Sequence, residues 1–390
     1  GLVGSEMCIR DSTSGDGGKV VLWADELTRY YGNISATGGA QGGNGGFVEV
    51  SGKDTLVFRG GVDTRATQGK FGTLLLDPLN ITIQAGTGDG DDLDASNAFF
   101  AGGPSGVVGT VLSTDTTPTT MFQSELQGIA AGTSISLAAT NNITINSLGG
   151  GTLNLAQTAG GTVSFNSGTF SMSAADTIAT AGGALNITTT VGGATVGSLA
   201  TAGGVIRLNV AGASSVSGVI SGAGTSLIKQ GAGTLTLSGA NTYTGLTTVS
   251  AGTLSAQNAT ALGTVAGATT VASGATLDIN GVAIGTEGVT ITGTGVGGVG
   301  ALTGTGTGSL SGTVAIGAAS TIGGSGTLTL SGVVSGTALT KAGTGTLILS
   351  GTNTYTGATN VNAGVLNVQN AQGTGTVPVG VVVASGPELQ

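Results

Sequence analysis

A thirty-residue unit written twice sets the limits on this fold. Residues 229–258 return as residues 341–370, 112 positions later, with 20 of 30 positions identical. Self-similarity of that kind marks a stacked architecture, in which each unit covers its neighbour, rather than a closed globule. Within residues 233–239, Leu235 and Leu237 fall on one face and Thr234, Thr236 and Ser238 on the other. That is the period-two alternation of a half-buried strand. The same seven letters recur at residues 326–332, and Asn241-Thr242-Tyr243-Thr244-Gly245 reads as a turn. One such unit cannot bury its leucine face alone.

Composition removes the alternatives. With 78 glycines in 390 residues and only 7% charged residues, a helical protein is excluded. Collagen needs Gly at every third position and abundant Pro, and there are 5 prolines and no such register. Regularly spaced Leu, Val and Ile exclude a disordered linker. Mean hydropathy is positive at +0.37, yet no run of 18 apolar residues occurs to make a membrane helix. The expected fold is all-β: an elongated, right-handed, single-stranded parallel β-helix, a β-solenoid with rungs of about 20 residues.

Charge divides the chain. Residues 1–94 hold 13 of 19 acids and 7 of 10 bases, leaving 9 charges for the other 296 positions. A net charge of −9 argues against nucleic acid, which needs a basic face. There is one cysteine, Cys8, and no histidine. No disulfide forms within the chain, and Ser-His-Asp, Cys-His and imidazole-metal arrangements are impossible.

Taken in order, residues 1–12 carry no strand pattern and no signal-peptide core; they resemble adapter-derived sequence and stand apart from the fold. Residues 13–83 form the next block. The stretch GDGGKVVLWADELTRYYGNISATGGAQGGNGGFVEVSG, followed by LLLDPLNITI, resembles the filamentous haemagglutinin-like family of bacterial exoproteins over residues 15–83. The resemblance implies a β-helical shaft secreted through the outer membrane, usually by a separate partner transporter (two-partner secretion). Residues 84–131 break the rhythm as an acidic insertion, ending in a short helix over residues 121–131 with Phe122, Leu126 and Ile129 on one face. Residues 132–210 return to short strands. Residues 211–390 carry the repeat, and residues 220–258 and 332–370 resemble the autotransporter-associated β-strand repeat. That resemblance implies a β-helical passenger region of a secreted or surface-exposed bacterial protein. The chain reads as a fragment truncated at both ends, with no outer-membrane barrel in the stretch given. Its expected partners are an outer-membrane transporter, either a missing barrel or a separate protein, and a host or neighbouring-cell surface or glycan.

The residues that define the repeat are Lys229, Gly231, Gly233, Leu235, Leu237, Asn241, Tyr243 and Gly245, matched by Lys341, Gly343, Gly345, Leu347, Leu349, Asn353, Tyr355 and Gly357. The lysines read as solvated corner residues, their stems laid along the surface. The tyrosines read as packed over a turn or on the next rung, with sugar stacking as the alternative. Asp89, Asp91, Asp92 and Asp94 are the candidate Ca²⁺ ligands, in a spacing that matches no known Ca²⁺ loop, against the plainer reading of a solvated acidic loop. Asn80, Asn142 and Asn186 each begin Asn-Ile-Thr, read as a hydrogen-bonded ladder rather than as glycosylation sites. Asp25, Glu26 and Arg29 are the nearest approach to the carboxylate–basic cluster of a β-helix carbohydrate-active enzyme. Gly295, Gly297 and Gly300 fit a dinucleotide pattern without strand–helix context. The expected role is structural and adhesive, with no catalytic residue and no resident cofactor; the alternative is a carbohydrate-active enzyme or a carbohydrate- or Ca²⁺-binding module.

Overall fold

The computed structural model describes residues 6–8, 13–58, 60–86, 120–318, 320–376 and 380–390. The chain divides into two compact units, Gly1–Val191 and Gly192–Gln390. Each is a β-solenoid of short parallel strands, as the repeat and the composition require.

In the first unit, one side stacks Lys19–Ala24, Phe47–Gly52, Gly72–Leu76, Thr133–Ala138, Thr162–Ser167 and Ala184–Thr189. Parallel register aligns Val20, Val48, Leu74, Ile135, Val163 and Leu185 into one inward ladder, each at most 4% exposed. Burying an aliphatic side chain of this size stabilises by about 1.5–3 kcal/mol, so the ladder is a principal source of cohesion. A second side stacks Thr120–Phe122, Asn80–Gln84, Asn142–Ile145 and Thr169–Met172, and a third pairs Thr152–Thr158 with Thr177–Ala181.

Two features of this unit differ from the sequence reading. Residues 1–12 were expected to lie outside the fold, but Glu6–Cys8 pairs in parallel with Asn33–Ser35. Asn33–Ser35 bonds Gly61–Asp63 on its other edge. An exposed strand edge accepts any extended backbone through main-chain bonds, whatever its side chains. The helix covers only Gln123–Gln127, with Glu125 accepting from the Phe122 amide at 2.7 Å; Phe122, Leu126 and Ile129 are buried as expected. Residues 87–119, and with them the four aspartates of the Ca²⁺ reading, lie outside the described residues.

In the second unit each rung has three positions. The first side runs from Val205–Asn209 through Ser226–Gln230, Thr247–Val249, Thr269–Val271, Val289–Ile291 and Val314–Ile316 to Val334–Gly336. On the second side Leu235, Leu254, Leu277, Leu302 and Ile322 form a ladder fully closed to solvent. The third side begins with Ser198–Ala200 and Ile220–Ser221, passes through turns, and resumes at Ala283–Ile284.

The two copies of the repeat do not occupy the same sides. In the first, Ser226–Gln230 is on the first side and Thr234–Leu237 on the second. In the second, Leu339–Lys341 is on the second side and Thr346–Leu349 on the third. The cause is arithmetic. Five rungs of the first side, from Leu227 through Thr247, Thr269, Val289 and Val314 to Val334, take 107 residues, and the copies are 112 apart. The five residues left over carry the second copy one side further on, from the first side to the second.

Candidate functional site

Lys229 continues the inward alternation of its strand: Leu227 and Lys229 are both fully buried while Ile228 between them is not. It lies between Leu208 on one rung and Val249 on the next. Its Nζ donates to the carbonyls of Gln230 (2.8 Å), Gly231 (2.8 Å) and Ala251 (3.0 Å). Lys341 repeats this with Ala342 (2.8 Å), Gly343 (2.9 Å) and Ala363 (3.0 Å). Three N–H donors meet three acceptors, the full capacity of an ammonium. This overturns the solvated-corner reading. Two successive rung corners turn their carbonyls inward, helped by Gly231 and Gly252 at φ of 76° and 66°, and their dipoles take the place of water. Burial pushes both ammonium groups down to about 8. The lysine therefore ties one corner to the next.

Asn241 and Tyr243 close the same unit. The Asn241 carboxamide accepts from the Ile220 amide at 2.8 Å and donates to the Ala261 carbonyl at 2.6 Å, so one side chain joins three rungs. Asn353 does the same with Val334 (2.8 Å) and Gly373 (2.6 Å). Tyr243 is buried, its hydroxyl 2.6 Å from Thr247 Oγ1; Tyr355 lies 2.7 Å from Thr359 Oγ1. Both phenols are raised by burial. Neither ring offers a face to solvent, so sugar stacking is excluded and packing between rungs stands. Gly233, Gly245, Gly345 and Gly357 sit where a Cβ would meet the adjacent rung's backbone at 2.2, 2.4, 2.0 and 2.7 Å. Leu235, Leu237, Leu347 and Leu349 are core.

The outward surface carries a groove of about 680 Å³ across the second side. Outward alternation places Thr236, Ser255, Asp278 and Thr303 in register across four rungs. Asp278 accepts from Ser255 (3.2 Å), Thr303 (2.9 Å) and Thr305 (3.0 Å), and is only 8% exposed. The loop over residues 293–300 walls it: the Val296 amide donates to Thr276 Oγ1 at 2.9 Å, and Thr276 donates to the Gly300 carbonyl at 2.8 Å. This loop is the Gly295–Gly300 dinucleotide look-alike. It makes a three-residue 3₁₀ turn, Val296–Gly298, and a Cβ at Gly295 would collide with the Gly300 carbonyl.

The remaining candidates separate. Asp25 and Glu26 are exposed at a turn, and Arg29 Nε is buried without a hydrogen bond. Asn142 donates to Asn80 Oδ1 at 2.9 Å, as the ladder reading expects, but Asn186 lies on another side and donates to Ser164 Oγ at 3.1 Å. Sequence reasoning passed over three buried acids. Asp176 accepts from the Leu148 and Gly150 amides at 2.8 and 2.9 Å and holds that loop. Asp278 and Glu287 are the two acids between Asp176 and Glu388, and their isolation in an almost uncharged stretch was the available signal.

Comparison with known families bears on the repeat. Both copies match the model described as the passenger-associated-transport-repeat, at residues 227–256 and 339–368. The matches start two residues before each lysine and end with the second strand after the tyrosine turn, so they hold the lysine with its three acceptors and the tyrosine with its threonine, while the asparagine's partners Ile220, Ala261, Val334 and Gly373 lie outside them. No curated protein matches the chain closely enough to count as a relative. The repeats and the β-solenoid fit the passenger region of an autotransporter, and such repeats suggest a secreted or surface-exposed protein. Among the described residues no helix is long and apolar enough to cross a membrane.

Proposed function

We propose that this chain is the shaft of a bacterial adhesin-like exoprotein that mediates adhesion or aggregation. One observation carries the reading: two passenger-type repeats, each closed by a buried lysine, an asparagine bridge and a buried tyrosine, lie within a β-solenoid. Repeats that bond mainly to their neighbours form a scaffold that is stable without disulfides and built by stacking. In this reading residues 15–83 are the haemagglutinin-like part. The transporter is an outer-membrane barrel, in the same protein or a separate one, and the surface contacted is a host or neighbouring cell or its glycans. The hydroxyl-lined groove at Asp278 supports a contact with a neutral polar partner.

The test uses cells that export the protein. Deleting residues 227–256 or 339–368 should lower the amount reached by antibody on intact cells and slow the settling of cell suspensions. Unchanged display with unchanged settling would sink the reading.

A further inference from the structure

The third side of the second unit has no strand between Ile220–Ser221 and Ala283–Ile284. Two turns pass there instead, and a pocket of about 520 Å³ opens beside them. That volume lies in the range that holds small organic ligands, roughly 300–1,000 Å³. Its walls are mainly apolar, with Leu262, Val265 and Ile284 among them. At Gly285 an added Cβ would meet nothing within 4 Å, so the space continues to the backbone.

Two polar groups in this wall are left over. Glu287 is 3% exposed and makes a single side-chain hydrogen bond, Thr269 Oγ1 donating to Oε1 at 2.8 Å. Its Oε2 accepts none, and it has no ion pair. Thr264 Oγ1 is closed to solvent and has no hydrogen-bond partner. The neighbouring Asn241 amide is already engaged by Ile220 and Ala261. The three bases of the second unit are Arg207, Lys229 and Lys341, and both lysines are held on backbone carbonyls. A nearly buried carboxylate facing an apolar cavity without a counter-ion is costly unless a cation completes it. The Tyr243 phenol, engaged with Thr247, is the titratable group that feels Glu287 from the adjoining turn.

We propose that this pocket binds a small primary amine with a compact hydrocarbon body. Its ammonium donates to Glu287 Oε2, and its carbon skeleton packs on Leu262, Val265 and Ile284. Burial raises the Glu287 carboxyl to about 7, so the site is charged and receptive above neutrality and discharged in acid.

Calorimetry on the full chain with cyclohexylamine, and with cyclohexanol as the uncharged match, tests this. At pH 8.5 the amine should bind at one site per chain, at least tenfold more tightly than the alcohol. At pH 5.5 the amine's affinity should fall at least tenfold and the alcohol's should not move. Glu287→Gln should remove the amine's advantage and its pH dependence together. Val265→Ala, which trims an exposed side chain of the wall, should weaken amine and alcohol alike by about threefold; it serves alone if the first variant fails to fold. Equal binding of amine and alcohol, no binding of the amine, or an amine affinity untouched by either folded variant would overturn the proposal.

Discussion

Replacing Asn241 with alanine removes one side chain and strands two backbone groups on different rungs. The Ile220 amide loses its 2.8 Å acceptor and the Ala261 carbonyl its 2.6 Å donor, and both residues are fully buried. A buried polar group left unsatisfied costs about 1–3 kcal/mol, so the change should destabilise these rungs by about 4 kcal/mol. Stacked repeats unfold by neighbourhoods, so the loss should be read locally rather than from one melting temperature. Hydrogen exchange followed by mass spectrometry supplies that reading. At about 1.4 kcal/mol per factor of ten, protection of the Ile220 amide should fall by about a thousandfold, with rungs far from residue 241 unchanged. Asn241→Asp separates the two bonds: it keeps an acceptor for Ile220 and loses the donor to Ala261. Its Ile220 amide should stay protected while the rung around Ala261 loosens. If Ile220 protection in the alanine variant stays within tenfold of the parent, the bridge is not what holds these rungs together.

The lysine anchors predict alkaline stabilisation. Folding lowers Lys229 and Lys341 from 10.5 to about 8, so between those values the unfolded chain holds more protons and stability rises with pH. At 1.36 kcal/mol per unit, each lysine should add about 2 kcal/mol between pH 8 and pH 10, measured by urea unfolding; beyond that, ionisation of the tyrosines in the unfolded chain opposes it. Lys229→Met with Lys341→Met should flatten the rise, and an equal rise in that double variant would refute the assignment. Glycines at positive φ should differ by their surroundings. Gly252→Ala would place a Cβ near the Gly231 carbonyl and 2.8 Å from Lys229 Nζ, and should cost more than about 3 kcal/mol. Gly274→Ala, with nothing within 4 Å, should cost about 1 kcal/mol, the left-handed backbone penalty alone; similar losses at both sites would count against the corner argument.

The strands were legible because a solenoid core needs only alternation. Phe47–Gly52 and Thr234–Leu237 fall where the leucine and valine spacing puts them. The lysines were misread because hydropathy ranked above phase. In Ser226–Gln230, Leu227 fixes the inward positions and Lys229 shares its parity, so the alternation already pointed inside. What the sequence lacked was the acceptor set, since carbonyl direction depends on corner geometry that no single residue type encodes. The Asp278 bridge and the Glu287 pocket were hidden for a related reason. Each depends on residues about 20 positions apart meeting through rung register, and one residue more or less in a turn would change the partners.

The one-side rotation between the repeats bears on valency. Chemically matching outward residues of the two copies point in directions about a third of a turn apart around the second unit. A flat partner meets one of them at a time, whereas a partner that wraps around, or two partners arriving from different quarters, meets both. Further copies at the same 112-residue interval would therefore trace a spiral of display points instead of a single stripe.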